Sequence, residues 1–339
     1  MNLRSHLWLV TFGAVSLVGA LCSSQNLAAA PVVEEAGGSV YVAFDLHPDE
    51  LKGTKTWADN RVFHHPICQF RVGQTTIKRD MMEMFAHGQR KIATNLWHTG
   101  LREGIDCAGF LLNSRSGRFA PQVLDNLRQF VSLAGSIGFN EVQLRFAPLS
   151  VNAPATWKEW NETVFQENLS VILTTIDALH SVGGPKVMFD LGGELGGMVR
   201  IPFMRTYVQR TWIAALKHTD VDHTDGFSIA YAPGKIAQYV QSLREVGPVP
   251  RELSLTIYRN PYSQMSAAAQ EAQAAGYSPP RFMIQETYYH DPSEYEEFVR
   301  AARNQRTIIR TIMQWPVVPD RKTNISEATT PLYDYGAGG

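Results

Sequence analysis

Residues 121–146 read PQVLDNLRQFVSLAGSIGFNEVQLRF, and the architecture can be worked outward from this stretch. Pro121 opens a helical pattern over 121–136, at a position where a missing N–H costs nothing. Gly138 stands just past its end, where a left-handed cap is commonly needed. A strand pattern follows over 141–146, with Val142, Leu144 and Phe146 on one face and Gln143 and Arg145 on the other. A helix passing through a capped turn into a strand is the repeating unit of an α/β fold.

That unit recurs along the chain. Strands are expected at 40–45, 92–97, 141–146, 186–191, 227–230, 253–258, 281–286 and 307–315. Helical patterns lie between them at 77–85, 121–136, 165–181, 203–218, 235–244, 263–274 and 293–303. With no compositional break to mark a linker, this alternation predicts a single-domain (β/α)8 TIM barrel in the α/β class, its last helix weak or missing. An open doubly wound sheet would usually carry a Gly-rich phosphate loop after its first strand, and here that position reads Asp45-Leu46-His47-Pro48. The expected organisation is a signal peptide over 1–30, the barrel over 31–318 and a tail over 319–339.

Composition narrows the function. Hydrophobic residues make up 44% and charged residues 19%, as in a folded globular chain. Thirty-one Lys+Arg balance 32 Asp+Glu, so nothing electrostatic recommends a nucleic acid or an anionic membrane as partner. Arg4 and His6 precede an apolar run over 7–21, too short for a comfortable membrane span, and small residues follow at 28–30. The segment reads as an export signal, with an uncleaved anchor as the alternative. The mature chain is expected to be secreted or periplasmic, without a membrane span, and monomeric. Loss of Cys22 with the signal leaves Cys68 and Cys107 as an even pair in an oxidising compartment, which suggests a disulfide rather than two separate buried thiols.

Strand parity then selects candidate site residues. In a barrel one face of each strand meets the helices and the other fills the interior. The expected inward registers are Gln143 and Arg145 on the third strand, Met188 and Asp190 on the fourth, in phase with Glu194, and Ser254, Thr256 and Tyr258 on the sixth. On the first strand Val42 and Phe44 are expected outward and Asp45 inward. Asp45, Arg145, Glu194 and Tyr258 thus share the interior near the carboxyl ends of their strands, where barrel active sites form. Placing Glu286 inward on the seventh strand sends Gln285 outward, unless a bulge intervenes.

Glu194 follows the fourth strand and Glu286 ends the seventh, and those strands face each other across an eight-stranded mouth. Two carboxylates so placed can flank a glycosidic bond, one protonating the leaving oxygen while the other attacks the sugar carbon. With this order of elements the chain resembles the clan A glycoside hydrolases, the retaining (β/α)8 superfamily with an acid/base Glu after strand four and a nucleophile Glu ending strand seven. The resemblance implies Glu194 as acid/base and Glu286 as nucleophile. It also implies Tyr258 as a hydrogen-bond donor to the nucleophile and Trp315 as the floor of the reacting sugar's subsite. Many members carry Asn immediately before the acid/base to hold the sugar 2-hydroxyl. Gly193 stands there instead, so either His98 or Asn95 serves or the site is weakened.

Trp57, Trp97, Trp157, Trp160 and Trp315 fall in loops or at strand ends, where flat apolar faces suit a pyranose. Some of them are expected only to pack loops. Tyr288 and Tyr289 follow Glu286 and are expected to add to the cleft or cover it. His47, His64, His65, His98 and His290 lie near the same end, but no HxH or HExxH spacing appears, so neither a metal site nor a cofactor is implied. The expected function is retaining hydrolysis of O-glycosidic bonds in a poly- or oligosaccharide. The alternatives are a catalytically impaired carbohydrate-binding barrel and a metal-dependent barrel hydrolase or isomerase.

Overall fold

A computed structural model describes residues 32–44, 54–55, 62–288 and 291–315. Parallel strands form a curled sheet, and their order follows the chain. The strands are β1 (Gly38–Val40), β2 (Lys91–Thr99), β3 (Glu141–Pro148), β4 (Lys186–Asp190), β5 in two pieces (Thr224–Gly226 and Ile229–Ala230), β6 (Leu253–Thr256), β7 (Arg281–Tyr288) and β8 (Ile308–Trp315). β8 pairs with β1, one piece of β5 pairs with β4, and the other pairs with β6, which closes the ring. Between the strands run α1 (Phe70–Ala86), α2 (Pro121–Ile137), α3 (Glu162–Leu179), α4 (Pro202–Ala215), α5 (Lys235–Arg244), α6 (Pro261–Ala274) and α7 (Pro292–Gln305). β8 ends at Trp315, the last described residue, so the stretch where a final helix would lie is outside the described residues. The strands and helices are those of the expected (β/α)8 barrel.

α2 begins at Pro121 and ends on Gly138 at φ 117°. A Cβ at Gly138 would lie 2.7 Å from the Phe85 ring, so the cap position requires glycine twice over. The buried face of α2 (Val123, Leu127, Phe130, Val131, Ala134) joins the outward Val142, Leu144 and Phe146 of β3 in the main apolar core. A second, smaller cluster of Val40, Ala93, Met283 and Met313 fills the barrel interior, with Trp315 packed against it. At the amino-terminal ends of the strands Arg310 bridges Glu141 and Glu252, and Lys91 bridges Glu141 and Glu35. These charges satisfy one another at that end.

Two strands depart from expectation. β5 was expected as one strand over 227–230. It is interrupted because Gly226 adopts φ 69°, and Phe227 N–H donates instead to Tyr239 Oη at 2.8 Å. The first strand was expected over 40–45, but β1 stops at Val40, and Ala43–Phe44 pairs antiparallel with Val62–His64 in a separate three-stranded sheet. The register therefore slips by one. Val42 packs with Trp97, Phe110 and Trp315 rather than with the helices, and buried Tyr41 takes the outer position, donating to Asp80 Oδ2 at 2.9 Å. Asp45, the expected inward residue, lies outside the described residues.

Candidate active site

The turn after β4 carries Glu194 in a constrained position. Gly192 N–H and Ser228 N–H both donate to Asp190 Oδ1, at 3.1 and 3.3 Å, and Gly193 N–H donates to Phe146 O at 2.8 Å. A Cβ on Gly192 would fall 2.8 Å from Leu195 Cδ1 and 2.9 Å from Phe227 Cδ1, so the chain turns there without a side chain. Glu194 itself has φ 62°, a left-handed conformation uncommon for a residue with a Cβ. Its N–H is fixed by Ser228 Oγ at 2.7 Å.

On the opposite side the β6–β7 register shifts between Leu255–Ile284 and Thr256–Glu286, leaving Gln285 as the extra residue of a bulge. The bulge lets consecutive residues share one face. In the amide orientation that satisfies its neighbours, Gln285 donates to Asp190 Oδ2 and Ser254 Oγ, both at 3.2 Å, and accepts from Ser228 Oγ at 2.6 Å and Arg145 Nη2 at 3.1 Å. Glu286, next along, accepts from Arg145 Nη1 through one oxygen and from Tyr258 Oη at 2.8 Å through the other. Arg145 is 3% exposed, and its Nε lies 3.7 Å from Asp190 Oδ2. Arg145, Asp190, Gln285 and Glu286 thus form one buried network.

The two glutamates differ in surroundings. Glu194 opens to solvent at the mouth, yet enough protein crowds it that lost hydration raises its pKa, and the Glu286 charge raises it further. Burial disfavours the Arg145 charge, but Glu286 and Asp190 outweigh it and hold the guanidinium protonated. Burial likewise pushes the Asp190 carboxyl up, with Arg145 opposing. The Tyr258 phenol is raised by burial and by the Glu286 charge, so it stays a donor.

An aromatic group gathers at the ends of β2 and β8. Trp97 meets Trp315 edge-on with centroids 6.3 Å apart, and Phe110 meets Trp97 at 5.4 Å. Phe110 had no sequence signal that singled it out. It sits at the tip of a small hairpin, Cys107–Ala108 against Leu111–Asn113, tied down by the Cys68–Cys107 disulfide with Cα atoms 6.0 Å apart. The expected Cys68–Cys107 bridge is therefore present. Tyr288 lies against Tyr258 with centroids 5.1 Å apart.

Other expected residues fall elsewhere. His98 was expected to reach the site, but it is buried on the opposite face of β2 from Trp97. Its ring meets Phe119, and its Nδ1 lies 3.0 Å from Ser114 Oγ. Strand alternation dictates this, because Trp97 is in phase with interior Ala93 and Asn95 and so His98 cannot be. Of the two residues proposed to replace the Asn missing before Glu194, Asn95 has the inward register, paired with Arg145. Trp157 and Trp160 pack with Phe165 and Tyr207 against the core. Trp57, Tyr289, His47 and His290 lie outside the described residues. Among the described residues no group of three or more His, Cys, Asp or Glu side chains could hold a metal ion.

Comparison with solved structures places this architecture. An exo-β-1,4-mannosidase from Opitutaceae bacterium strain TAV5 superposes with TM-score 0.50 at 12% identity, over 91% of this chain and 58% of its own. The chain thus spans under two thirds of that protein's length. A β-glucosidase gives 0.53 at 10% identity over 84% of this chain and 88% of its own. A GH5 xyloglucanase from Bacteroides ovatus gives 0.50 at 10% identity over 89% and 72%. The (β/α)8 barrel fold is shared with these three proteins. The resemblance to clan A hydrolases thus holds for the fold, at identities too low to carry more. No protein-family model matches the chain, and no curated protein does.

Proposed function

We propose that the protein is an exported glycosidase that hydrolyses O-glycosidic bonds of a poly- or oligosaccharide with retention. The observation that carries this reading is the unequal treatment of two carboxyl groups at one mouth. Glu286 is gripped at both oxygens by Arg145 and Tyr258, while Glu194 is left open to solvent with a raised pKa. A retaining pair needs that division: one group oriented to attack, one able to hold and release a proton.

In the proposed reaction Glu194 gives its proton to the glycosidic oxygen as the bond to the anomeric carbon breaks. A Glu286 oxygen forms the new bond to that carbon, and the leaving alcohol departs. Glu194, now ionised, takes a proton from water. The resulting hydroxide equivalent displaces Glu286 and returns the sugar with its original configuration. Trp315, Trp97 and Phe110 offer apolar faces to the sugar rings. The disulfide fits an oxidising compartment and supports export.

A panel of β- and α-linked oligosaccharides with mass-spectrometric product readout tests the activity. Glu286→Gln is expected to abolish the covalent glycosyl-enzyme seen by intact-protein mass spectrometry with a fluorinated activated glycoside. Glu194→Gln is expected to spare substrates whose leaving group needs no proton. Full turnover in both variants would show the glutamates to be structural.

A second reading rests on Gly193, which supplies no side chain beside Glu194. A barrel that binds glycans without cleaving them would give saturable binding on the same panel and no products.

A further inference from the structure

Asp190 lies behind both glutamates and touches neither, yet every contact it makes leads to one of them. Through Oδ1 it receives the N–H groups of Gly192 and Ser228, and Ser228 Oγ in turn receives the Glu194 N–H at 2.7 Å. Through Oδ2 it receives the Gln285 amide at 3.2 Å and faces Arg145 Nε at 3.7 Å, while Arg145 and Tyr258 hold Glu286. Its neighbours at these four contacts are all N–H donors, so the ionised carboxylate is the form that fits.

We propose that Asp190 is a positioning residue for both glutamates. It fixes the left-handed turn that presents Glu194, and it holds Arg145 against Glu286 while offsetting the guanidinium charge. The inference rests on the two-glutamate reading of the site, but its test does not require turnover.

The charge argument gives the direction. Asp190, Arg145 and Glu286 together carry one net negative charge, and Glu194 sits in its field. Without the Asp190 charge the remaining pair is neutral, and the part of the field that Asp190 adds to that of Glu286 at Glu194 is removed. The other titratable group facing Glu194 is the Tyr258 phenol after β6, which stays neutral. Neutralising Asp190 therefore favours ionised Glu194.

Glu194 can be titrated directly by carboxyl carbon NMR in Glu-labelled protein, with Glu194→Gln to assign its resonance. In Asp190→Asn the Glu194 midpoint is expected to fall by about one pH unit. On any glycan the protein cleaves, the alkaline limb of kcat/KM is expected to move to lower pH by the same amount. Ser228→Ala keeps every charge, and it carries the test even where Asp190→Asn does not fold. It is expected to speed hydrogen exchange of the Glu194 amide at least about tenfold, since that N–H loses its acceptor. An unchanged Glu194 midpoint in folded Asp190→Asn, or an unchanged Glu194 exchange rate in Ser228→Ala, would overturn the proposal. These outcomes are separate from the fate of the proposed function. A protein that cleaves no glycan but shows the shift would lose the function and keep the positioning role.

Discussion

Tyr258 Oη donates to Glu286 Oε2 at 2.8 Å, across a bulge that moves Glu286 one residue out of step with its strand. A hydrogen bond to a charged acceptor in a half-buried site is worth about 1.5–3 kcal/mol. Tyr258→Phe is accordingly expected to lower kcat by about 10- to 100-fold, with a smaller change in KM, because in the proposed reaction the bond orients the attacking oxygen. Steady-state kinetics on a cleaved substrate checks this. A KM effect alone would place Tyr258 in substrate binding instead.

His65 and His98 predict how stability responds to acid. Both are buried, and burial depresses each to a pKa of about 3 from 6.5. In the folded state they are neutral, whereas in the unfolded chain they take up protons below about pH 6.5. Above that pH the two states bind protons alike and nothing changes. As pH falls from about 6.5 towards 3 the unfolded state gains protons that the folded state refuses, so stability is lost. Each histidine contributes at most about 1.4 kcal/mol per pH unit. His98→Asn should reduce the slope of urea-measured stability against pH by about that much between pH 6 and 4. An unaltered slope would mean that His98 is charged or accessible in the folded protein.

Alternation made β3 and β4 legible in the sequence, since their outward faces are uniformly apolar, Val142, Leu144 and Phe146 on β3 and Val187 and Phe189 on β4. It placed Arg145 and Asp190 inside, and on the seventh strand it sent Gln285 outward unless a bulge intervened. Gln285 shows why the rest was hidden. A bulge is decided by which neighbours a side chain finds, here Asp190, Ser228 and Arg145, and those contacts come from β4, the break in β5, and β3. The same holds at β1, where apolar residues over 40–44 suit either face and only the pairing of Ala43–Phe44 with Val62–His64 fixes the phase. Phe110 became part of the aromatic group through a hairpin that no periodicity announces. His98 was legible in principle, because its parity on β2 is opposite to that of Trp97.

The disulfide closes a segment with a sequence separation of 39. Chain-entropy arithmetic for a loop of that size gives about 4 kcal/mol. Cys68→Ser/Cys107→Ser is expected to unfold at lower denaturant by a corresponding amount. Because the bridge also holds the hairpin that carries Phe110, the variant should bind oligosaccharides more weakly than wild type under conditions where both are folded. Equal stability of the oxidised wild type and the double variant would show that the bridge adds no constraint the fold lacks.

Gly193 offers the most direct handle on the proposed chemistry. A Cβ at this position would meet only Phe146 O, at 3.8 Å, which is an ordinary contact. Its backbone has no left-handed φ, and its N–H bond to Phe146 O does not depend on the side chain. Gly193→Asn should therefore fold with stability within about 1 kcal/mol of wild type, the reduced freedom of the unfolded chain offsetting the ordering of a new side chain. If the site is that of a retaining glycosidase, an amide beside Glu194 can reach the sugar 2-hydroxyl, where hydrogen bonds strengthen as the transition state forms. The expected result is a kcat raised several-fold on substrates with a free 2-hydroxyl and unchanged on their 2-deoxy counterparts. A kcat that fell equally on both would mean that the space beside Glu194 is needed empty, and that Gly193 is there to admit the substrate rather than lacking a grip on it.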